Sequence, residues 1–545
     1  MSENKEIRLS GEREQDQLST QGNSNKSATR PKGDAIWLEE GGRYVHKYHG
    51  FTLVPQPSND PRDPLNWPFK RKMEILVVLC LSTFAGFCGP LAGQLQVNPQ
   101  ATLYDVSTVS ISYQNSAANS GMVIGSILLF PLSHVIGRSS TIFWSLVGLF
   151  VAQIWSACMT SPNDYNPWIV ARGFSGFFGT MTGILGPRCL IDMFYLHQRG
   201  RAFTVFHFFF DFGTIAGPAI SGLIAARSSW TAAYWWTAAL AGVAFITVFI
   251  FLRDTTWDRS PGADNPPQPE SFWKNRASTF LPGTAITKKS TGSQIAKVAA
   301  TPFLITATPV TFFLALFCLF NFGFYVAMNS ITPVWLQKPE KAGGYGFTSF
   351  ENACFQLFHW AGIAVALLYG QLISDRLPLA LCARFGGGEW KPEYRLHALW
   401  FPALICNPIG LGVFGMGLQQ HLSWGVLAIA QILVTFGSLS ITPITVNYAC
   451  ECFTKNPAET AIVLNSFRIG FGLSIAFYIT PWVDAVGFAW CYGTMAFIQV
   501  FSFCFVVVLM WKGHTIRQVD PFGLISTEEG EHVVDDAKYP EHEAV

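Results

Sequence analysis

Residues 253–269 read Arg253-Asp254-Thr255-Thr256-Trp257-Asp258-Arg259-Ser260-Pro261-Gly262-Ala263-Asp264-Asn265-Pro266-Pro267-Gln268-Pro269. Pro261, Pro266, Pro267 and Pro269 remove backbone donors, so this run cannot be helix interior. On both sides the chain is dominated by long apolar runs. Six precede the break, near 73–95, 108–136, 141–159, 167–191, 202–226 and 231–252. Six follow it, near 309–336, 353–374, 398–418, 424–447, 459–486 and 488–511. A hydrocarbon core about 30 Å thick takes about 20 apolar residues in a helix. The runs are too long and continuous for barrel strands, and lipid leaves only helices or closed barrels. The expected fold is an all-α integral membrane protein: twelve transmembrane helices in two six-helix pseudo-repeats around a central cavity.

Composition agrees. Half of the 545 residues are hydrophobic and only 13% are charged, against about a quarter charged in soluble domains. The formal net charge of +1 gives no electrostatic case for nucleic acid. Twelve cysteines occur, mostly inside apolar runs and without zinc spacing, and are read as small hydrophobes. No cofactor or metal site is expected. The segment 1–72 is polar, lacks a signal-peptide core and is expected to be a largely disordered tail. The other expected segments are a first half at 73–252, a linker at 253–306, a second half at 307–511 and an acidic tail at 512–545. Basic residues fall on alternate loops: Lys70, Arg71 and Lys72, then Arg138, Arg199 and Arg201, then the linker, then Arg376, Arg384, Lys391 and Arg395, then Lys512 and Arg517. The intervening loops hold little beyond Arg227, Lys338 and Lys341. This positive-inside pattern puts both termini in the cytoplasm. The second span is the least apolar; its stretch 110–120 is expected to face a wet cavity or to pack closely on a neighbour.

Several segments, in order along residues 49–517, resemble the major facilitator superfamily, and in particular its fungal twelve-span drug:proton antiporter group. Asp63-Pro64-Leu65-Asn66-Trp67-Pro68 leads into span one. Leu132, Gly137 and Arg138 match the signature between spans two and three, with His134 in its acidic position and Ser139 in place of the second basic residue. Arg172, Gly176 and Gly179 match a span-four pattern. Asp192 with Arg199 and Arg201 resembles the next loop and is expected to form ion pairs at a helix end. Gly213, Gly217, Pro218 and Gly222 resemble the glycine–proline element associated with antiporters. Gly370-Gln371-Leu372-Ile373-Ser374-Asp375-Arg376 echoes the first signature, and Pro392-Glu393-Tyr394-Arg395-Leu396 is a further group feature. The resemblance implies a secondary transporter of small molecules, not an enzyme.

Proton coupling needs a titratable group at mid-depth. Asp211 lies nine residues into span five, about 14 Å at 1.5 Å per residue. His207 is four residues earlier on the same face, so the pair could share a proton or hold a static polar contact. Glu451, near the end of span ten, is a further proton-coupling candidate. Arg172 either faces the bundle interior or snorkels at the interface. Arg468 either binds an anionic substrate or pairs with a carboxylate. Asn321, Asn329, Trp335 and Phe358 are the remaining cavity candidates. With no P-loop, HExxH or GxSxG, the chain does not read as a pump, protease or hydrolase, and a receptor or membrane enzyme is disfavoured. The expected function is proton-coupled efflux of a xenobiotic, toxin or secondary metabolite by a monomer in the plasma membrane. The alternative is uptake of a nutrient such as a polyamine or organic acid.

Overall fold

The computed structural model describes residues 35–40, 43–48, 51–52, 57–58, 60–259, 265, 269, 271–281, 292–374, 376–385 and 390–526. Asp375, the acidic tail residues beyond 526 and most of the proline run 260–270 lie outside the described residues. Two units separate, Met1–Pro57 and Ser58–Val545. In the first, β1 (Ala35–Glu40), β2 (Arg43–Tyr48) and β3 (Phe51–Thr52) form an antiparallel sheet with Trp37 opposite His46. The tail was expected to be mostly disordered; its Ile-Trp-Leu and Tyr-Val runs carry strong strand preference.

The second unit is helical. The first half comprises α1 (Phe69–Leu91), the short α2 (Val97–Tyr104), α3 (Thr108–Ile136), α4 (Arg138–Cys158), α5 (Tyr165–Gly179), α6 (Met181–Met193), α7 (Leu196–Ala225) and α8 (Ala232–Phe251). Two linker helices follow, α9 (Phe272–Phe280) and α10 (Gly292–Thr306). The second half comprises α11 (Pro309–Gln337), α12 (Ser349–Gln356), α13 (Phe358–Tyr369), α14 (Arg376–Phe385), α15 (Asn407–Gln419), α16 (Trp424–Cys452) and α17 (Pro457–Gln518).

Ten helices among the described residues are long and apolar enough to cross a membrane. The other two expected crossings are explained by local backbone. Span four is divided into α5 and α6 at Thr180, whose dihedrals remain right-handed helical. Spans eleven and twelve run together as α17, broken only at Gly487. The φ of +80° there suits glycine, which has no Cβ to clash. The linker contains more helix than its proline-rich start suggested.

The pseudo-repeat is visible in which helices touch. In the first half α1 packs on α7, α3 on α5 and α4 on α8. In the second half α11 packs on α17, α13 on α16 and α15 on α17. These are equivalent partners when spans are counted from the start of each half. Small residues set the closest approaches. A Cβ at Gly217 would stand 2.5 Å from the Cys88 carbonyl oxygen of α1, and one at Gly213 would stand 2.9 Å from the Phe84 oxygen. Gly176 and Gly179 likewise meet the backbones of α3, at Ala118, and α1, at Gly86. The polar start of α3 is therefore close-packed: Gln114 donates to the Gly93 carbonyl at 3.1 Å, and Ser116 donates to the Leu473 carbonyl at 2.8 Å.

The halves meet tightly at the end where α1 finishes. Gln94 Nε2 donates to the Asn329 carbonyl at 2.6 Å, and Gln337 Nε2 to the Leu95 carbonyl at 3.1 Å. Beside them, a Cβ at Gly222 would come 2.9 Å from the Ala353 Cβ of α12.

Candidate functional site

α7 carries the site. Its glycine face is pressed on α1, which fixes its rotation, while His207 and Asp211 project together from another part of its surface. Both side chains are buried, at 5% and 4% exposure. Asp211 Oδ1 stands 3.4 Å from Arg468 Nη1 of α17, so a carboxylate of the first half faces a guanidinium of the second. The same nitrogen donates to Thr442 Oγ1 at 2.9 Å, and Nη2 donates to Asn465 Oδ1 at 3.0 Å. Arg468 is sandwiched between Phe210 and Phe322, 4.6 and 4.3 Å from the ring centroids. Aromatic faces attract the cation and exclude water.

Two cavities flank this pair. One, of about 550 Å³ including its mouth, lies between α7, α13 and α16 and is lined in part by Thr204, Asp211, Tyr369 and Asn447. The other, about 420 Å³ including its mouth, is lined in part by Arg468, Asn465, Thr442 and Cys318. Thr204 lies early in α7 and Asn447 late in α16, so the first cavity extends from mid-depth towards the arginine-rich end, away from the tight contact at Gln94 and Gln337.

Of the residues singled out from the sequence, Asp211, His207 and Arg468 come together here. His207 makes no hydrogen bond to Asp211; neither ring nitrogen has a partner. The carboxylate's partner is Arg468, one of the two roles anticipated for that arginine. Arg172 faces the bundle interior, one of its two anticipated positions, but lines neither cavity. It is fully buried inside the first half, donating to the Gly89 and Pro90 carbonyls and to Gln153 Oε1, with its guanidinium 4.8 Å from the Tyr234 ring centroid. Asn321 ties the second half together through Ser502 at 2.8 Å. Asn329 lends its carbonyl to Gln94, Trp335 packs edge-on against Phe488, and Phe358 packs against Phe355 and Trp424. None of these four residues lines the two cavities.

Glu451 is also elsewhere. It pairs with Arg395 at 2.5 Å and accepts from Trp390 Nε1 at 3.3 Å, with a fifth of its side chain exposed. Sequence reading missed Thr442, Asn447, Asn465 and Tyr369. The available signal was the recurrence of Ser438, Ser440, Thr442, Thr445 and Asn447 around Pro443 within one apolar span.

At the arginine-rich end of the first half, Arg138 pairs with Asp192, and Arg188 approaches the same carboxylate at 3.9 Å. Gly137, at φ 91°, turns the chain so that Arg138 can start α4. Arg259 donates to the Asp192 carbonyl at 3.0 Å and pairs with buried Asp63 at 2.8 Å. Burial acts to raise the Asp63 carboxyl. Hydrogen bonds from Arg259 and from the Ser58 and Leu65 amides outweigh it and hold the group below the ordinary carboxylate range. The acid expected to be missing at His134 is thus supplied by Asp192, which pairs with Arg138 and Arg188.

The family model described as Major Facilitator Superfamily matches residues 75–392, more than half of the chain. The chain is similar to the efflux pump radE of Floropilus chiversii, 24% identical over 468 residues, covering 84% of this chain and 83% of that protein. It is similar to the MFS-type transporter penM of Penicillium rubens, 26% identical over 518 residues and covering 92% and 96%. It is also similar to the MFS-type transporter hepF of Aspergillus oryzae, 24% identical over 477 residues and covering 84% and 92%. Among solved structures, the proton:xylose symporter XylE superposes with a TM-score of 0.56 at 14% identity, over 82% of this chain and 96% of that one. That likeness speaks to the fold.

Proposed function

The chain belongs to the major facilitator superfamily, and from that premise we propose that this multi-pass transporter exports a small organic compound in exchange for protons. The cargo class is a xenobiotic, toxin or secondary metabolite, and the cycle is alternating access. The observation that carries the reading is the buried Asp211–Arg468 pair on the cavity wall, which joins the two halves at 3.4 Å. A carboxylate at mid-depth binds or releases a proton according to which side can reach it. Protonation removes one member of the pair and loosens the halves where they meet; cargo release and return then follow in the other orientation.

Export is supported by the printed names of relatives, one of which is an efflux pump, and by the glycine–proline element that presses α7 on α1. In this reading both termini and the 253–306 linker are cytoplasmic, the halves at 73–252 and 307–511 rock against each other, and a monomer works in the plasma membrane. The arginine-rich end then faces the cytoplasm and the cavities receive cargo from inside.

The test is transport into inside-out vesicles from a panel of compounds, with and without an acidic lumen. Accumulation of at least one compound that collapses with the pH gradient is expected. Transport only in the opposite direction, or indifference to the gradient, would overturn the reading.

A further inference from the structure

His207 is the one described residue that lines both cavities. It borders both the space beside Asp211 and the space beside Arg468. It is 5% exposed, and both Nδ1 and Nε2 lack hydrogen-bond partners. Buried polar atoms are nearly always paired, by protein or by something bound. A neutral imidazole offers one donor and one acceptor. The partner that satisfies it presents one acceptor and one donor within reach of a single ring.

The charges around it restrict that partner further. Apart from His207 itself, Asp211 and Arg468 are the only acidic or basic residues among the described lining residues of the two cavities, and they neutralise each other. A cationic guest would draw Asp211 away and leave Arg468 buried without its carboxylate. An anionic guest would do the reverse. Either exchange strands a buried charge, which is costly. An anion has one escape: it binds Arg468 once a proton has neutralised Asp211. Proton and anion then travel together, which is co-transport and not exchange. An uncharged guest disturbs neither ion, and its hydrogen bonds go to His207. The rings of Phe208 and Phe210, which line the first and the second cavity respectively, offer apolar surface to the rest of it.

We propose that His207 is a cargo-binding residue and that the cargo is an uncharged organic molecule carrying a hydrogen-bond donor and acceptor close together, as in an amide or a hydroxy-carbonyl group. This deepens the export reading by naming the cargo's charge class. It also makes each exchange of one proton for one cargo molecule carry net charge.

Three probes of one skeleton test it: 6-hydroxy-2-naphthamide, 6-hydroxy-2-naphthoate and (6-hydroxy-2-naphthyl)methylammonium, bound at equilibrium to the purified full-length protein near neutral pH. The amide is expected to bind at least about tenfold tighter than either ion. His207→Phe, which keeps bulk and removes both nitrogens, is expected to weaken the amide by at least about tenfold, the scale of one to two lost hydrogen bonds. His207→Gln, which keeps a donor and an acceptor, is expected to recover part of that loss and guards against misfolding of the first variant. Binding of either ion as tightly as the amide, no binding of the amide, or unchanged amide binding in His207→Phe would overturn the assignment. Because the assay needs no gradient, it fails separately from the coupling reading. Should Asp211→Asn retain proton-driven transport while the probe series holds, the coupling site falls and the cargo class stands.

Discussion

The ion pairs within each half and the single described pair between the halves sit in different surroundings and do different work. Within the first half, Asp192 gathers Arg138 and Arg188 and is joined through its backbone to the Arg259–Asp63 pair. Within the second half, Glu393 pairs with Arg517 at 2.9 Å and Glu451 with Arg395 at 2.5 Å. All of these lie towards one end, and none of them joins the first half to the second. Asp211–Arg468 lies at mid-depth, among aromatic rings and on a cavity wall, and connects the two. A pair within a rigid half can stay closed through a cycle, whereas a pair between halves that rock must open. The chemistry is the same; in the proposed cycle, topology makes the pairs within a half clasps and the pair between the halves a switch.

The comparison breaks most violently if a half is not rigid. Gly217→Leu would drive a side chain into the α1 backbone at Cys88. Overpacking of this kind costs about 1–3 kcal/mol or more, and vesicle transport should vanish while the protein still inserts. Normal transport would show that α7 does not depend on that contact.

Next come the buried clasps. Asp192→Asn leaves Arg138 without its carboxylate, and Glu393→Gln does the same to Arg517. Removing one member of a buried pair costs about 3–5 kcal/mol, so thermal denaturation of the purified variants should begin well below wild type. The fraction that remains folded should transport with the wild-type pH dependence. A shifted pH dependence would mean that the clasps also open during transport.

Glu451→Gln should do less. Both partners are about a fifth exposed, and pairs in contact with water contribute about 0–1 kcal/mol. Little change in denaturation temperature and no change in proton dependence are expected. Loss of coupling in this variant would return Glu451 to the proton path.

The last case, Asp63, is read through pH. Its carboxyl is held below the ordinary range, so its contribution is complete above the unfolded value, about 4. It is lost as pH falls through the lowered folded value. Asp63→Asn should therefore lower stability near neutral pH and flatten the acid limb of the stability profile. An acid limb identical to wild type would place the acid sensitivity in other carboxylates.

Much of this architecture was readable from the chain. Length and apolarity marked the helices, and counting from the start of its span put Asp211 near the middle of α7. Gly137 and Gly217 stand where a positive φ or a backbone contact forbids a Cβ, and such positions leave a trace in sequence. Partners across the fold do not. Asp211 and Arg468 are 257 positions apart, and nothing in local spacing says that they touch. Arg172 shows the complementary difficulty: an arginine within an apolar span must find polar company, but periodicity cannot distinguish the central cavity from the interior of one bundle. Here Gln153 and the Pro90 carbonyl supplied that company. His207 looked like a proton partner from its i−4 spacing to Asp211, yet in the fold its nitrogens and that carboxylate do not bond.

In the proposed cycle, Asp211 is the group whose proton opens the pair between the halves. Asp211→Asn keeps the side chain's shape and removes its ionisation. The measurement is accumulation of a transported compound in inside-out vesicles carrying this variant, across a range of lumenal pH. Loss of accumulation against a gradient, with downhill exchange and cargo binding retained, is the predicted result. Wild-type accumulation with an unchanged pH dependence would contradict it.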